Sequence, residues 1–488
     1  MNSAANITLE QIASLAPLLI TCATAVIVML SIAFRRHHFV NATLTVIGLN
    51  AALLSVWWVG TNYPSQGVTE LLVVDHYALF FMGLVLVTSL GCATLSHAYI
   101  ENFRGNREEL YLLLLTAAAG GLVLACSRHF ASFFIGLELL SVPLYGMVAY
   151  RNHSRHSLEA GFKYLVLSAA ASAFLLFGMA LIYAATGTMS FAGITQILNE
   201  SVASNPLVIT GLGMMLVGIG FKLSLAPFHL WTPDVYEGAP APIGAFLATA
   251  AKVALFAVVV RFMLVLPSEQ SESVRNVLVL VAIASILIGN LLALMQSNIK
   301  RLLGYSSIAH FGYLLIALIA LGTLGIEAVA VYLLAYTAAS LGAFGVVTLM
   351  SNAADVRDAD SLQDFRGLFW RKPYLAVILT VSLLSLAGIP LTAGFIGKFY
   401  LATVGVAAGL WYLLGALIIG SAIGVYYYLR VMTTLYMREA GMSHFDAPRN
   451  WGTQSGGMMV AILALITIFL GIFPQVMISF LQGTFLAP

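Results

Sequence analysis

Apolar runs of roughly 20 residues follow one another from residue 15 to residue 481, separated by short polar stretches. A helix of that length rises about 30 Å, the thickness of a bilayer's hydrocarbon core, so each run predicts a membrane-crossing helix. The strict in-out alternation of barrel strands is absent, and lipid offers no water to exposed backbone groups, so the spans are helical. About fourteen are predicted, centred near Ala25, Leu53, Val85, Ala119, Leu139, Ala171, Gly218, Lys252, Ala284, Gly312, Ala338, Ile389, Gly420 and Thr467. An even count places both termini on one side. Alternate loops carry Arg35 and Arg36, Arg104 and Arg107, Arg151 and Arg155, Lys300 and Arg301, then Arg357, Arg366, Arg371 and Lys372, and finally Arg438 and Arg449. The opposite loops and helix ends offer Arg128, Arg261 and Arg275. The positive-inside bias makes the first set cytoplasmic and sends both termini outward.

The first run, residues 12–34, is apolar enough for a signal peptide, but its basic cluster (Arg35, Arg36, His37, His38) follows the run instead of preceding it, so a retained helix is expected. Composition agrees with the pattern. Of 488 residues, 60% are hydrophobic and 9% charged, too few charges to coat a soluble globule, and the mean hydropathy is +0.96. The three cysteines, Cys22, Cys92 and Cys126, all lie in apolar runs without CxxC spacing. They read as core packing, and neither an iron–sulfur cluster nor a zinc site is supported. The longest polar stretch, residues 351–371 with Asp355, Asp358, Asp360 and Asp364, reads as a solvated cytoplasmic linker in preference to a metal site, and its spacing does not match a calcium-binding loop.

An internal repeat changes the picture further. YLVLSAAAS from Tyr164 resembles YLLAYTAAS from Tyr332, in the sixth and eleventh spans. The seventh and twelfth both contain Leu-Ser-Leu-Ala, at 223–226 and 384–387, followed closely by Pro227 or by Gly388 and Pro390. An offset of five spans makes successive units insert with opposite orientation, the inverted-topology arrangement of transporters. Helix breakers at matching positions predict interrupted seventh and twelfth spans, which lipid tolerates only where protein or water satisfies the freed backbone. A simple proline kink in each helix is the alternative. The expected organisation is an all-α polytopic membrane protein: an N-terminal three-helix segment (1–110), a first five-helix repeat (111–267), a second, inverted one (268–437) and a C-terminal helix (438–488).

Against this frame some charges stand out. Of six lysines, Lys163, Lys222, Lys252 and Lys398 fall within spans, and no arginine falls near a span centre. Among the twenty acids, Glu138 alone sits near the middle of one. Each buried charge costs about 3 kcal/mol or more to insert, which marks it as functional. Lysine can lose its proton when desolvated whereas arginine cannot, so these residues suit a proton path. The competing readings are snorkelling to the nearer interface for Lys163 and Lys398, and a static ion pair for Glu138 and Lys222. His229, just after Pro227, and His310, midway along the tenth span, can donate and accept near neutral pH, or sit as satisfied core histidines. Ser224, Thr249, Ser306, Ser307 and Tyr313 are hydroxyls that could anchor water between them.

The run GFKLSLAPFHLWTPDVYEGAP at 220–240 resembles the signature of the antiporter-like proton-pumping subunits shared by respiratory complex I and multisubunit cation/proton antiporters. KRLLGYSSIAH at 300–310 strengthens the match, and SLAGIPLTAGFIGKFY at 385–400 is particularly similar to the subunit N branch of bacterial NADH-quinone oxidoreductase. The resemblance spans essentially the whole chain. It implies that a fifth-span glutamate, Glu138, pairs with Lys222 on the seventh. It also implies that Lys252 on the eighth links two half-channels and that Lys398 on the twelfth leads outward, with Lys163 as the sixth-span lysine. Lysine on the twelfth span disfavours the subunit M branch, which resembles this pattern but typically has glutamate there.

The implied activity is proton translocation coupled to electron transfer from NADH to quinone elsewhere in a complex, with no redox chemistry and no cofactor in this chain. Expected partners are the other membrane subunits, subunit M and small membrane subunits among them, together with the lipid bilayer, protons and water, and no nucleic acid. The expected location is the bacterial inner membrane. Two rivals remain at this point: a stand-alone or Mrp-type cation/proton antiporter, for which a lone Glu138 among lysines is a poor sodium site, and a structural or quinone-binding subunit with inert charges.

Overall fold

The computed structural model describes residues 8–101, 103, 105–198, 205–266, 268–351, 357–438 and 451–485. Arg104, Asp355 and Arg449, named above, lie outside them. Among the described residues fourteen spans run in order. The first six are Ala16–Phe34, His38–Asn62, His76–Ile100, Glu109–Cys126, Phe130–Val148 and Arg155–Thr186. The seventh comprises Pro206–Lys222 and Trp231–Gly238, the eighth Ala241–Ala248 and Ala250–Val265. Ser268–Leu294, Ile299–Ile319 and Thr323–Met350 follow as the ninth to eleventh; the twelfth comprises Pro373–Ala387 and Ala393–Ala407, and Trp411–Tyr436 and Trp451–Ile472 complete the set. Twelve are long and apolar enough to cross as single segments. The exceptions are the seventh and twelfth. A short hairpin, Gln66–Gly67 against Val73–Val74, lies between the second and third spans.

Glycine contacts display the repeat directly. A Cβ on Gly120 of the fourth span would lie 2.3 Å from the Leu140 nitrogen and 2.9 Å from the Gly136 carbonyl oxygen on the fifth. One on Gly289 of the ninth would lie 2.7 Å from the Ala309 nitrogen and 2.9 Å from the Tyr305 carbonyl oxygen on the tenth. Positions 120 and 289, 140 and 309, and 136 and 305 are each 169 residues apart. Both helix pairs therefore touch backbone to backbone at the same register, and only a residue without a side chain permits it.

The broken helices stop for local reasons. In the seventh, Ser224 adopts φ 64° and Pro227 has no N–H to continue the ladder. In the twelfth, Gly388 at φ 80° closes the first half, its N–H and that of Ile389 returning to Leu384, and Leu391 follows at φ 74°. The eighth span is interrupted as well, which its sequence does not signal. Thr249 departs from helical geometry at ψ −86°, while its hydroxyl bonds back to the Ala245 carbonyl at 2.6 Å. A threonine returning to its own backbone bends helices in this way without glycine or proline.

The linker after the eleventh span is not uniformly solvated, which corrects the reading of it as an exposed acidic loop. Asp358 is fully buried and accepts from Lys300 Nζ at 2.7 Å, Arg151 Nη1 at 3.0 Å and the Tyr99 hydroxyl at 2.7 Å. It thus ties the third span, the loop after the fifth, the start of the tenth and the linker together. Burial alone would push its carboxyl up, but the Lys300 and Arg151 cations outweigh burial and hold it below the usual carboxylate range. Asp360 and Asp364 pair with Arg357 at 2.9 and 2.6 Å.

Candidate functional site: a buried row of lysines held by neutral groups

Lys222 is the last residue of the first half of the seventh span, where unpaired carbonyls and the helix dipole favour a cation. It is 9% exposed. Its ammonium donates to Ser141 Oγ on the fifth span and to Ser168 Oγ on the sixth, both at 2.7 Å. Glu138 makes no direct ion pair with it, a correction to the expected contact. The carboxylate instead accepts from Ser172 at 2.6 Å, one helical turn from Ser168, so two serines on one face stand between acid and ammonium. Ser168 also bonds the Tyr145 hydroxyl at 2.8 Å.

Lys252 lies one turn beyond the Thr249 break and is 1% exposed. Its ammonium donates to Ser307 Oγ at 2.7 Å and faces the Phe311 ring 4.8 Å from its centroid. Ser307 also accepts from the Tyr336 hydroxyl at 2.9 Å. His310, one turn further along the tenth span, meets the Tyr332 hydroxyl through Nδ1 at 2.6 Å and the Tyr428 hydroxyl through Nε2 at 3.2 Å. With the 169-residue register of the glycine contacts, Ser307 stands where Glu138 stands in the first repeat and His310 where Ser141 stands. The second half thus replaces an acid and a serine by a serine and a histidine.

Lys398 does not snorkel outward. Its ammonium turns back into the twelfth-span break and donates to the Ala387 carbonyl at 2.8 Å, a free C-terminal carbonyl of the first half-helix. Tyr313 presents its ring 5.3 Å from the ammonium, and a cavity of about 10 Å³ joins Lys398 to His310, Tyr332, Tyr336 and Ser385. Lys252, Ser307, His310 and Lys398 are thereby brought into one polar seam.

Lys163 is placed differently, and the expectation of a buried charge is corrected. Its side chain is 40% exposed and paired with Glu159 at 2.7 Å and Asp234 at 2.9 Å. Arg301 extends the cluster to Asp234 at 2.8 Å and Glu237 at 2.7 Å, around a cavity of about 190 Å³ that His156 also lines. His229 is buried in the seventh-span break with neither ring nitrogen bonded to a protein group, as are the Ser224 and Thr232 hydroxyls. It does not join the lysine row directly. Of the other hydroxyls, Ser306 meets Tyr428, Tyr313 accepts from Asn290 at 2.8 Å, and Thr249 serves its own helix. Ser141, Ser168, Ser172, Tyr332 and Tyr336 were missed from sequence. The repeated YLVLSAAAS and YLLAYTAAS segments, which hold four of them, were the available signal.

A polytopic helical protein with inverted repeats, two half-helix pairs and an internal row of titratable side chains belongs to the class of ion-translocating membrane proteins. Residues 127–424 match the family described as NADH:quinone oxidoreductase/Mrp antiporter, TM. The chain is 58% identical over 490 residues, 98% of each sequence, to NADH-quinone oxidoreductase subunit N of Ectopseudomonas mendocina (strain ymp). It is therefore a member of that antiporter-like family, in its subunit N branch. Among solved structures, a chain of respiratory complex I from Thermus thermophilus with bound Aureothin superposes with TM-score 0.81 at 34% identity, covering 95% of this chain and 98% of that one. A chain of the Mrp complex from Dietzia sp. DQ12-45-1b has the same fold, with TM-score 0.82 at 21% identity over 98% and 97% of the two chains.

Proposed function

We propose that the chain is a proton-translocating membrane subunit of an NADH-quinone oxidoreductase, passing protons along Lys222, Lys252, His310 and Lys398 when electron transfer elsewhere in the complex perturbs Glu138. The observation that carries the reading is the company the three inner lysines keep. Each ammonium is held by serine hydroxyls, an aromatic face or a backbone carbonyl, and none by a carboxylate. Neutral acceptors stabilise a cation without locking it, so such a lysine can give up its proton and regain it. A salt-bridged one cannot do so cheaply. The same observation disfavours inert structural pairs.

In this reading the basic face is cytoplasmic and both termini face the periplasm of a bacterial inner membrane. The cavity lined by His156, Lys163, Asp234 and Glu237, with Arg301 paired to the two acids, is the mouth. Drawing Glu138 away from the Ser172 and Ser168 relay, or restoring it, changes the field on Lys222 and so where the proton rests. The protons are shared by coupled groups, and their titration belongs to the network. Subunit M and small membrane subunits are the proposed neighbours. The site chemistry requires no cofactor.

The test is proton pumping by the intact complex in liposomes. Lys222→Ala and Glu138→Ala should assemble and still bind the neighbouring subunits, yet lose most coupled activity. Normal pumping by both variants would overturn the reading. Sodium-dependent flux by the chain alone would favour the antiporter alternative.

A further inference from the structure

Tyr336 of the eleventh span is a phenol that the relay above leaves unassigned. It is 4% exposed, and its ring stands edge-on to Phe311, centroids 5.6 Å apart, and against His310 at 5.2 Å. Its hydroxyl donates to Ser307 Oγ at 2.9 Å, the same oxygen that accepts from the Lys252 ammonium at 2.7 Å. The side chain also lines the cavity of about 10 Å³ that holds Lys398, room for one water. Tyr336 thus belongs to both sides of the gap between the two lysines. His310 shares that cavity, but its ring nitrogens are taken by Tyr332 and Tyr428.

The repeat points to the same residue independently. Aligning YLVLSAAAS with YLLAYTAAS sets Tyr336 on Ser168. Ser168 is the hydroxyl that accepts from Lys222 in the first repeat, one turn from the Ser172 that bonds Glu138, and Ser307 stands where Glu138 stands. Each repeat therefore sets a hydroxyl of its sixth- or eleventh-span helix between the fifth- or tenth-span residue and the lysine of the broken helix. The second repeat has Leu383 where Lys222 would fall, and its lysine stands beyond the break at Lys398. A phenol, longer than serine by a ring, matches that displacement.

We infer, on the proton-relay reading above, that Tyr336 carries the proton from Lys252 to the Lys398 cavity. As the structure stands, Ser307 accepts from both sides and the file is closed. A hydroxyl hydrogen turns readily about its C–O bond. Once the Tyr336 O–H swings from Ser307 to the cavity, its oxygen is free to accept from Ser307. Lys252 then gives a proton to Ser307 Oγ, Ser307 gives its own to the Tyr336 oxygen, and Tyr336 gives its own to the cavity water, which passes it to neutral Lys398. One N–H bond breaks at Lys252 and one forms at Lys398. Both hydroxyls end neutral, with the Tyr336 O–H again on Ser307.

The experiment measures proton pumping by the intact complex in liposomes, in H2O and in D2O, with Lys222→Ala as a control. Tyr336→Phe removes one oxygen and keeps the ring against Phe311 and His310. It should assemble normally and lower pumping about tenfold or more, with a larger H2O/D2O rate ratio than wild type because proton transfer across the gap becomes limiting. Tyr336→Phe combined with Ser307→Ala should pump no more slowly than the worse single variant, since either change breaks one file. An unchanged rate in Tyr336→Phe, with Lys222→Ala impaired, refutes the role of Tyr336 alone. A loss with the wild-type isotope ratio also refutes it, as a packing defect, and losses that multiply in the double variant refute a shared file. Normal pumping in Lys222→Ala removes the relay reading itself.

Discussion

Asp358→Asn is the substitution whose effect the structure fixes most closely. The carboxylate is wholly buried against Lys300, 2% exposed, and Arg151, 8% exposed. Asparagine keeps the volume but removes the negative charge that Lys300 and Arg151 share and points an amide donor at groups that themselves donate. Breaking a buried ion pair by removing one partner costs about 3–5 kcal/mol. For a chain of this length that amounts to a fall in Tm on the order of 5 °C. The sign with pH follows from the depressed carboxyl. A group whose folded-state pKa lies below its unfolded value of about 4 contributes fully above that value and loses its contribution as pH falls through the folded one. Wild type and variant should therefore differ most at neutral pH and converge under acid. Thiol-reactive dye gives the readout in detergent, because Cys92 and Cys126 are buried until the chain unfolds, with exposed Cys22 changed to serine to remove background. Tyr99→Phe, which removes one hydrogen bond to a charged group, should cost about 1.5–3 kcal/mol. A deficit near zero at pH 7.5, or one that persists undiminished under acid, would refute the account of Asp358 as the counterion of this cluster.

Removing both acceptors of the Lys222 ammonium with Ser141→Ala and Ser168→Ala forfeits two hydrogen bonds to a charged group, about 1.5–3 kcal/mol each, and pumping should fall about tenfold or more in liposomes. Lys163→Gln breaks only half-exposed pairs worth about 0–1 kcal/mol, so its stability should match wild type and its pumping should exceed that of Lys222→Ala. Gly394→Ala should prevent the twelfth-span break from closing, since its Cβ would lie 1.8 Å from the Ser385 carbonyl oxygen; protease sensitivity of the assembled complex and loss of pumping would report it.

Much of the architecture was legible because the signals are local. Lipid forces every span to be an apolar run, so the runs could be counted and placed from hydropathy. Proline and glycine act on their own backbone, so the breaks after Lys222 and at Gly388 were visible. The break at Thr249 was not, because an Ala-Thr-Ala-Ala stretch is a good helix and only its packed surroundings decide otherwise. The Asp358 cluster was hidden for a different reason. Four aspartates in a polar linker look alike in sequence, and burial singled out the one that meets Lys300 and Arg151 from distant segments.

The site divides in the same way. Sequence alone determined which charges lie within spans and that lysine, not arginine, holds the inner positions, because insertion cost and proton affinity are properties of residue type. Tertiary structure alone decided what each ammonium touches. Glu138 reaches Lys222 only through serines, Lys163 pairs with Glu159 and Asp234 beside a half-exposed cavity, and Lys398 turns inward onto the Ala387 carbonyl. Those partners are set by helix register at glycine contacts, where a shift of one residue rotates a side chain by about 100°, and no local pattern records which helix stands opposite.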